Sequence, residues 1–415
     1  MSNPAIDRSV LVAQTRLIPD PGSLLDYAPA EDLISWIHSG EGMIAWGTVA
    51  EFEFSGADSF QQAEEWWSMI TKGAVVRDEA KVPGSGLIAF GSFAFDPNKN
   101  TSLLRVPKLV LGKRGKTAWV TTIGSDAVSN NPKLVRTEDP AKPSNVTFQP
   151  GGLSDFDWTG IVEEAVTKIQ AGELEKVVLA RDLVARLDKP IDVRWPLRKL
   201  ASEYPNCWTF KVGNFFGATP EMLVRRERGL VASRILAGTI RRTGNDQQDL
   251  ALAASLARSS KDREEHDYAV QSVADALEPH CASMNVPDMP FVLHLPNVMH
   301  LATDVTGVAN DSATALSLAA SLHPSAAVGG TPRDAALDLI TQNEGMNRGR
   351  YAGPVGWIDA AGDGEWAIGL RSATIEDGGI TVRLYAGCGI VADSHPADEL
   401  AESNAKLIPI RDSLT

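Results

Sequence analysis

The feature that most constrains this chain is the spacing of its extended runs. Apolar and polar residues tend to alternate over short stretches, and each stretch closes on a short turn. MIAWGTVAEFEF (43–54), GLIAFGSFAFD (86–96) and TAWVTTIG (117–124) show the pattern in the first third. A period of two is the mark of half-buried strands. Strands that follow one another through short turns pair antiparallel, because a parallel pair needs a long crossover. Helical periods are interspersed, so the expected class is α+β.

The helical periods are clear. SFQQAEEWWSMITKG predicts a helix over 58–72 with a glycine after its end. Over 155–171, Trp158, Ile161, Val162, Ala165, Val166 and Ile169 recur at i, i+3, i+4, i+7, i+8 and i+11, and Gly172 closes the run. Further helices are expected over 246–258, 260–279, ATALSLAASLHP, TPRDAALDLITQNE and about 396–407. Between them, 176–187 reads as a strand, 208–233 as a strand series and 291–309 as strand, turn, strand. The last strands are expected over 351–359, 365–376 and 380–391. Residues 127–156 carry four prolines among small polar residues, which marks a surface connection between an N-terminal part, 1–150, and a C-terminal part, 151–415.

Composition excludes several functions. Thirty-nine Lys and Arg against 53 Asp and Glu leave a net charge of −14, which argues against nucleic acid or an anionic membrane as partner. No apolar run approaches the ~18 residues of a membrane span. The first residues lack the basic and apolar segments of a secretion signal, so the expected location is the cytoplasm. Cys207, Cys281 and Cys388 are too few and too scattered for a disulfide framework or a cysteine zinc site. Two G-x-G-x-x-A strings, at 40–45 and 84–89, lead into strands rather than helices and read as turns, not as a dinucleotide fingerprint. No phosphate-binding loop of the G-x-x-x-x-G-K-[ST] type, no H-E-x-x-H and no G-x-S-x-G is present.

Several residues have chemical potential. Asp262 and Glu265 are three apart on one helix, as are Glu399 and Glu402 on the last, with Lys406 one turn beyond Glu402. Two such pairs meeting across a cleft would suit Mg²⁺, which prefers carboxylate oxygens. Taken singly, acidic pairs are usually solvated helix faces. Lys176 opens the apolar strand EKVVLA, and a lysine drawn into such surroundings loses its proton more readily and can act as a base. Glu221, in GATPEML, has apolar neighbours that would favour its protonated form, an acid. The ordinary alternatives are an edge lysine reaching solvent and a turn glutamate. Arg371 in IGLRSA could clamp a carboxylate, between two glycine-rich runs, RGRYAGPVGW and RLYAGCGIVADSHP.

Taken in order, KVVLAR, GATPEML, LAGT, KDREEH, HLATDVTG, LHPSAAVGG, RGRYAGPVGW, LRSA, YAGCGIV and ELAESNAK resemble the chorismate-utilising enzymes, over about residues 155–412. That family includes isochorismate, salicylate, anthranilate and aminodeoxychorismate synthases. The resemblance implies one large α+β unit of stacked, mainly antiparallel sheets flanked by helices, to which the N-terminal part also contributes. It implies Mg²⁺ held by Glu265 and Glu402, with Asp262 and Glu399 in support. It places Arg371, Tyr351, Gly387 and Lys406 against the carboxylates of chorismate, and Thr239, His323 and Ala327 around the ring. It gives Lys176 the role of base toward water and Glu221 that of acid toward the leaving hydroxyl. The loop HPSAAVGGTPR carries Ala327 where aminating members carry threonine, and LLDY (24–27) is a poor match to their feedback string LLES. The implied activity is therefore reversible conversion of chorismate to isochorismate, with salicylate synthesis as the alternative and the aminating reactions behind it. Isochorismate feeds both menaquinone and siderophore synthesis. No obligatory protein partner is expected, and the family is often monomeric. Ile240, Cys388 and Ser325 depart from the commoner family residues without removing a proposed catalytic group.

Overall fold

The structure is a computed structural model that describes residues 10–125, 132–310 and 312–415, leaving aside the side chains of Lys261 and Glu265. Among the described residues the strands join into one branched hydrogen-bonded network. Every pairing is antiparallel except that of Val12–Ile18 with Val75–Asp78. The branch lies on Ser102–Arg114. Leu103–Arg105 pair with Ile88–Ser92, whereas Leu109–Arg114 pair with Thr117–Gly124.

One arm runs from Glu41–Phe54 through Ile34–His38, Trp208–Val212, Phe215–Thr219, Ser372–Glu376 and Thr381–Ile390 to Lys176–Arg186. The other runs from Ile88–Ser92 through Pro354–Asp359, Gly364–Ile368, Met222–Glu227 and Leu230–Arg241 to Val298–Ala309. Strands from the first hundred residues thus pair with strands beyond residue 200 in both arms.

The first arm is apolar on both faces, since alternate residues of a strand point to opposite sides. Trp36, Met43 and Phe215 enter one core; Ile37, Ile44 and Phe216 enter the other. Helix Asp155–Gln170 lies over the first core. It is capped by Ser154, whose Oγ accepts the Asp157 N–H, and its buried stripe is Trp158, Val162, Ala165 and Ile169. Helix Pro396–Asp412 closes the second core with Leu407 and Ile410.

Two expectations are revised. The run 365–376 forms two strands, Gly364–Ile368 and Ser372–Glu376, because Arg371 takes a left-handed backbone, φ 48°. The last helix does not stop near 407 but continues through Pro409 to Asp412. Proline has no N–H to offer the carbonyl four residues back. The Asn297 side-chain amide donates to that carbonyl, Ala405 O, at 3.0 Å. No helix among the described residues is long and apolar enough to cross a membrane.

Candidate active site

The site gathers where the two arms face each other. Thr381–Ile390 pairs with Lys176–Arg186 in a register that sets Gly387 opposite Ala180 and Gly389 opposite Val178. Gly387 has no room for a side chain. A Cβ there would lie 2.9 Å from Leu179 O and 3.2 Å from the Tyr351 hydroxyl. Tyr351 stacks on Tyr385 at 5.1 Å, and burial pushes its phenol up to about 12, so it remains a neutral donor. Lys406 reaches across from the last helix and donates to Gly387 O at 3.1 Å while pairing with Glu402. Burial pulls Lys406 down, but Glu402 and Cys388 together hold the ammonium above its ordinary value.

Glu221 enters from the turn between Phe215–Thr219 and Met222–Glu227. Its backbone is fixed at both ends: its N–H bonds Thr219 Oγ1 at 3.3 Å, and its carbonyl accepts Ile368 N at 3.0 Å. Burial pushes the carboxyl up to about 7 from an ordinary 4.5, although Lys176, Lys406 and Arg371 all pull the other way. A buried carboxylic acid poised near neutrality is suited to giving up a proton.

Thr239 and His300 come from the long ladder of Leu230–Arg241 on Val298–Ala309. The register breaks between Ala237 and Thr239, where Gly238 takes φ 76°. This bulge brings Thr239 opposite His300, and Thr239 Oγ1 lies 3.0 Å from His300 Nδ1. Burial, with Arg371 and Lys406 nearby, holds His300 well below its ordinary value, so its ring is neutral. Arg371 is 8% exposed, and among the described residues its Nη1 has no hydrogen-bond partner. A buried guanidinium with an unmet donor is an invitation to a carboxylate.

Glu221, Thr239, Ala327, Tyr351, Arg371, Gly387 and Lys406 therefore line one cavity of about 80 Å³. Lys176 sits on the wall of a neighbouring cavity of about 460 Å³, and its charge is felt at Glu221. The two cavities are partitioned by short segments: Lys176 and Ala326 line one, while Val178 and Ala327 line the other.

Glu399 and Glu402 stand together beside Cys388, each offering a ligand atom within 4.8 Å of the others. The two carboxylates suit a hard divalent cation. Burial pushes the Cys388 thiol well up, and its Sγ donates to Glu399 O at 3.3 Å, so it is a poor ligand for such an ion. Asp262 lies in the first turn of Ser260–Leu277, against the Gly238 bulge, where a Cβ on Gly238 would come 3.1 Å from its own. The Glu265 side chain lies outside the described residues.

His323 is placed elsewhere. It ends helix Ala315–Leu322, its Nε2 lies 3.1 Å from Phe95 O, and its ring packs against Phe60 and Phe95. Burial pushes it down to about 4, a neutral core histidine. His300 and Arg348 are cavity residues that sequence reasoning did not single out. A signal for His300 was available, since it stands in an apolar run, VMHLA, at the head of a strand.

Comparison with known proteins settles the relationship. A family model described as "Chorismate binding enzyme" matches residues 27–415. The chain belongs to the chorismate-binding enzyme family. It is 35% identical, over 99% of its own length and 91% of the relative's, to the salicylate biosynthesis isochorismate synthase of Pseudomonas aeruginosa. It is 32% identical to the isochorismate synthase MenF of Bacillus subtilis, over 99% and 94% of the two chains. Among solved structures, the menaquinone-specific isochorismate synthase MenF of Escherichia coli superposes with a TM-score of 0.81 at 26% identity, covering 98% of this chain and 95% of that one. The antiparallel network with its outer helices is the fold of this chorismate-binding family.

Proposed function

We propose that the protein is an isochorismate synthase that moves the ring hydroxyl of chorismate from C4 to C2. The observation that carries this is Glu221: a buried carboxyl near neutrality, under the influence of Lys176, in a cavity that also holds the cations Arg371 and Lys406. Water adds at C2 and passes a proton to the Lys176 amine. The ring double bonds shift, the C4–O bond breaks, and Glu221 protonates the departing hydroxyl. No atom is gained or lost, and the reverse reaction exchanges the two roles. Arg371 and Lys406 hold the substrate carboxylates, Tyr351 and Thr239 supply neutral hydroxyls, and Gly387 lets the ring approach the backbone.

The reading includes Mg²⁺, for which Glu402 and Glu265 would be ligands and Glu399, beside Glu402, and Asp262 would give support. When bound, the ion would supply positive charge for the ring carboxylate. Lys406 holds Glu402 in an ion pair from one turn further along the helix. Glu402→Gln is expected to weaken Mn²⁺ or Mg²⁺ binding at least about tenfold. Calorimetric titration of the substrate-free protein checks this directly; unchanged affinity would remove Glu402 from the metal site.

The test of the activity is incubation of the purified protein with chorismate and Mg²⁺, followed by chromatographic separation. Isochorismate alone is the expected product. Salicylate with pyruvate would make it a salicylate synthase, and a product formed only with ammonia would place it with the aminating members. The relatives include enzymes named for menaquinone and for vibriobactin, so the product's destination is a separate question.

A further inference from the structure

We propose that the buried pair Glu344–Arg348 is a positioning device for the reaction, completing an open edge of the strand that carries Lys176. The inference rests on the proposed activity only for its kinetic consequence. Along one edge, Lys176–Arg186 pairs with Thr381–Ile390. Along the other, Gly330–Thr331 pairs only with Lys176 and Val177, and Thr147–Pro150 takes over only at Leu183. Between them the backbone groups of Val178 and Ala180 have no ladder partner on that edge.

Buried strand groups left unpaired are costly. Here all four are met. Val178 N–H donates to Gly329 O at 2.8 Å, and Ala180 O accepts Trp158 Nε1 at 3.1 Å. The other two use the charged pair: Arg348 Nη2 donates to Val178 O at 2.7 Å, and Glu344 Oε1 accepts Ala180 N–H at 2.8 Å. Arg348 also donates from Nε to Glu344 at 2.8 Å and from Nη1 to Val328 O at 2.9 Å, with its guanidinium 4.2 Å from the centre of the Phe95 ring.

Both side chains are nearly inaccessible, at 3% and 4% exposure. An ion pair that deep is a poor choice for stability alone. Its placement fits another role. One guanidinium fixes Val178, two residues from Lys176, to Val328, next to Ala327. Through Arg348 O, which accepts Tyr351 N–H at 2.9 Å, it also holds the turn that presents Tyr351. Across the strand from the gap lie Gly387 and Gly389, which line the cavity. Displacing reacting groups by about 1 Å can cost 10²-fold in rate.

The test compares the full chain with Arg348→Lys and Glu344→Gln, each checked for a folded circular-dichroism spectrum. Hydrogen–deuterium exchange of a peptide covering 177–181 should quicken at least about tenfold in Arg348→Lys, and in the same direction in Glu344→Gln, while Phe215–Thr219 is unchanged. With chorismate, kcat should fall by about 10²-fold with KM within about threefold. Unchanged exchange at 177–181, or an undiminished kcat, overturns the proposal. A raised KM with kcat preserved overturns it too, by assigning Arg348 to substrate contact. If the parent chain leaves chorismate unconverted, the proposed activity fails, and exchange alone judges the pair.

Discussion

Lys176→Ala is expected to remain folded and to lose roughly 10²–10⁴ in turnover of chorismate, the usual worth of a positioned general base. The residue opens its strand with Thr331 as its ladder partner, a backbone pairing that survives truncation of the side chain. The loss should appear in kcat with little change in KM, because Arg371 and Lys406 would still hold the carboxylates. A second signature belongs to this residue. Lys176 is the first among the cations that pull Glu221 down against burial. Without it, the Glu221 carboxyl rises further, and the alkaline limb of the residual activity moves to higher pH. Full activity in Lys176→Ala would end the assignment of the base; reduced activity with an unmoved alkaline limb would separate Lys176 from Glu221.

Glu221→Gln is expected to lose a comparable roughly 10²–10⁴ in rate, since an amide fills the same space but cannot release a proton to the leaving oxygen. In the parent, kcat/KM should decline as pH rises through about 7, where the acid form of Glu221 is spent. Stability provides an independent reading of the same group. The folded carboxyl holds its proton more tightly than an unfolded one, whose value is near 4.5. Above that value the unfolded chain has released a proton that the folded chain retains. Folding is therefore progressively disfavoured from about pH 4.5 until the folded carboxyl ionises near 7, by at most roughly 3 kcal/mol. Glutamine has no charge to bury. Urea melts should show Glu221→Gln more stable than the parent at pH 8, by roughly 2–3 kcal/mol, with the difference closing toward pH 5. Equal stabilities across that range would mean that the carboxyl is not held protonated by the fold.

Local patterning carried much of this molecule. The ladder Lys176–Arg186 on Thr381–Ile390 and the helices at 59–72 and 155–170 lie where alternation and helical period put them. What patterning missed depends on long-range partners. Nothing in GEWAIGLRSATIE marks a break, because the left-handed turn at Arg371 is held by the backbone of Ala218, whose N–H meets Arg371 O at 3.2 Å. The helix runs past Pro409 because Asn297, more than a hundred residues earlier, replaces the missing donor. In the site, the strings led to Arg371, Gly387, Lys406 and Glu221 together. Of the two histidines in HLATDVTG and LHPSAAV, they led to the wrong one for the cavity. The bulge at Gly238 sets His300 against Thr239, and a separate long-range contact turns His323 toward Phe95. The pair Glu344–Arg348 was invisible for the same reason: its meaning lies in a vacancy between two strand partners, which no single segment displays.

The bent backbone under Arg371 has a price that falls on the folded chain rather than on the ligand. A non-glycine residue at φ 48° costs on the order of 1 kcal/mol or more. That expense is incurred once, during folding. On the proposed reading, each arriving carboxylate would then meet a guanidinium already in place, and none of its binding energy would go into turning the arm. Selection for robustness alone would favour glycine at this corner. A thermally hardened descendant obtained that way would keep its shape and surrender its grip.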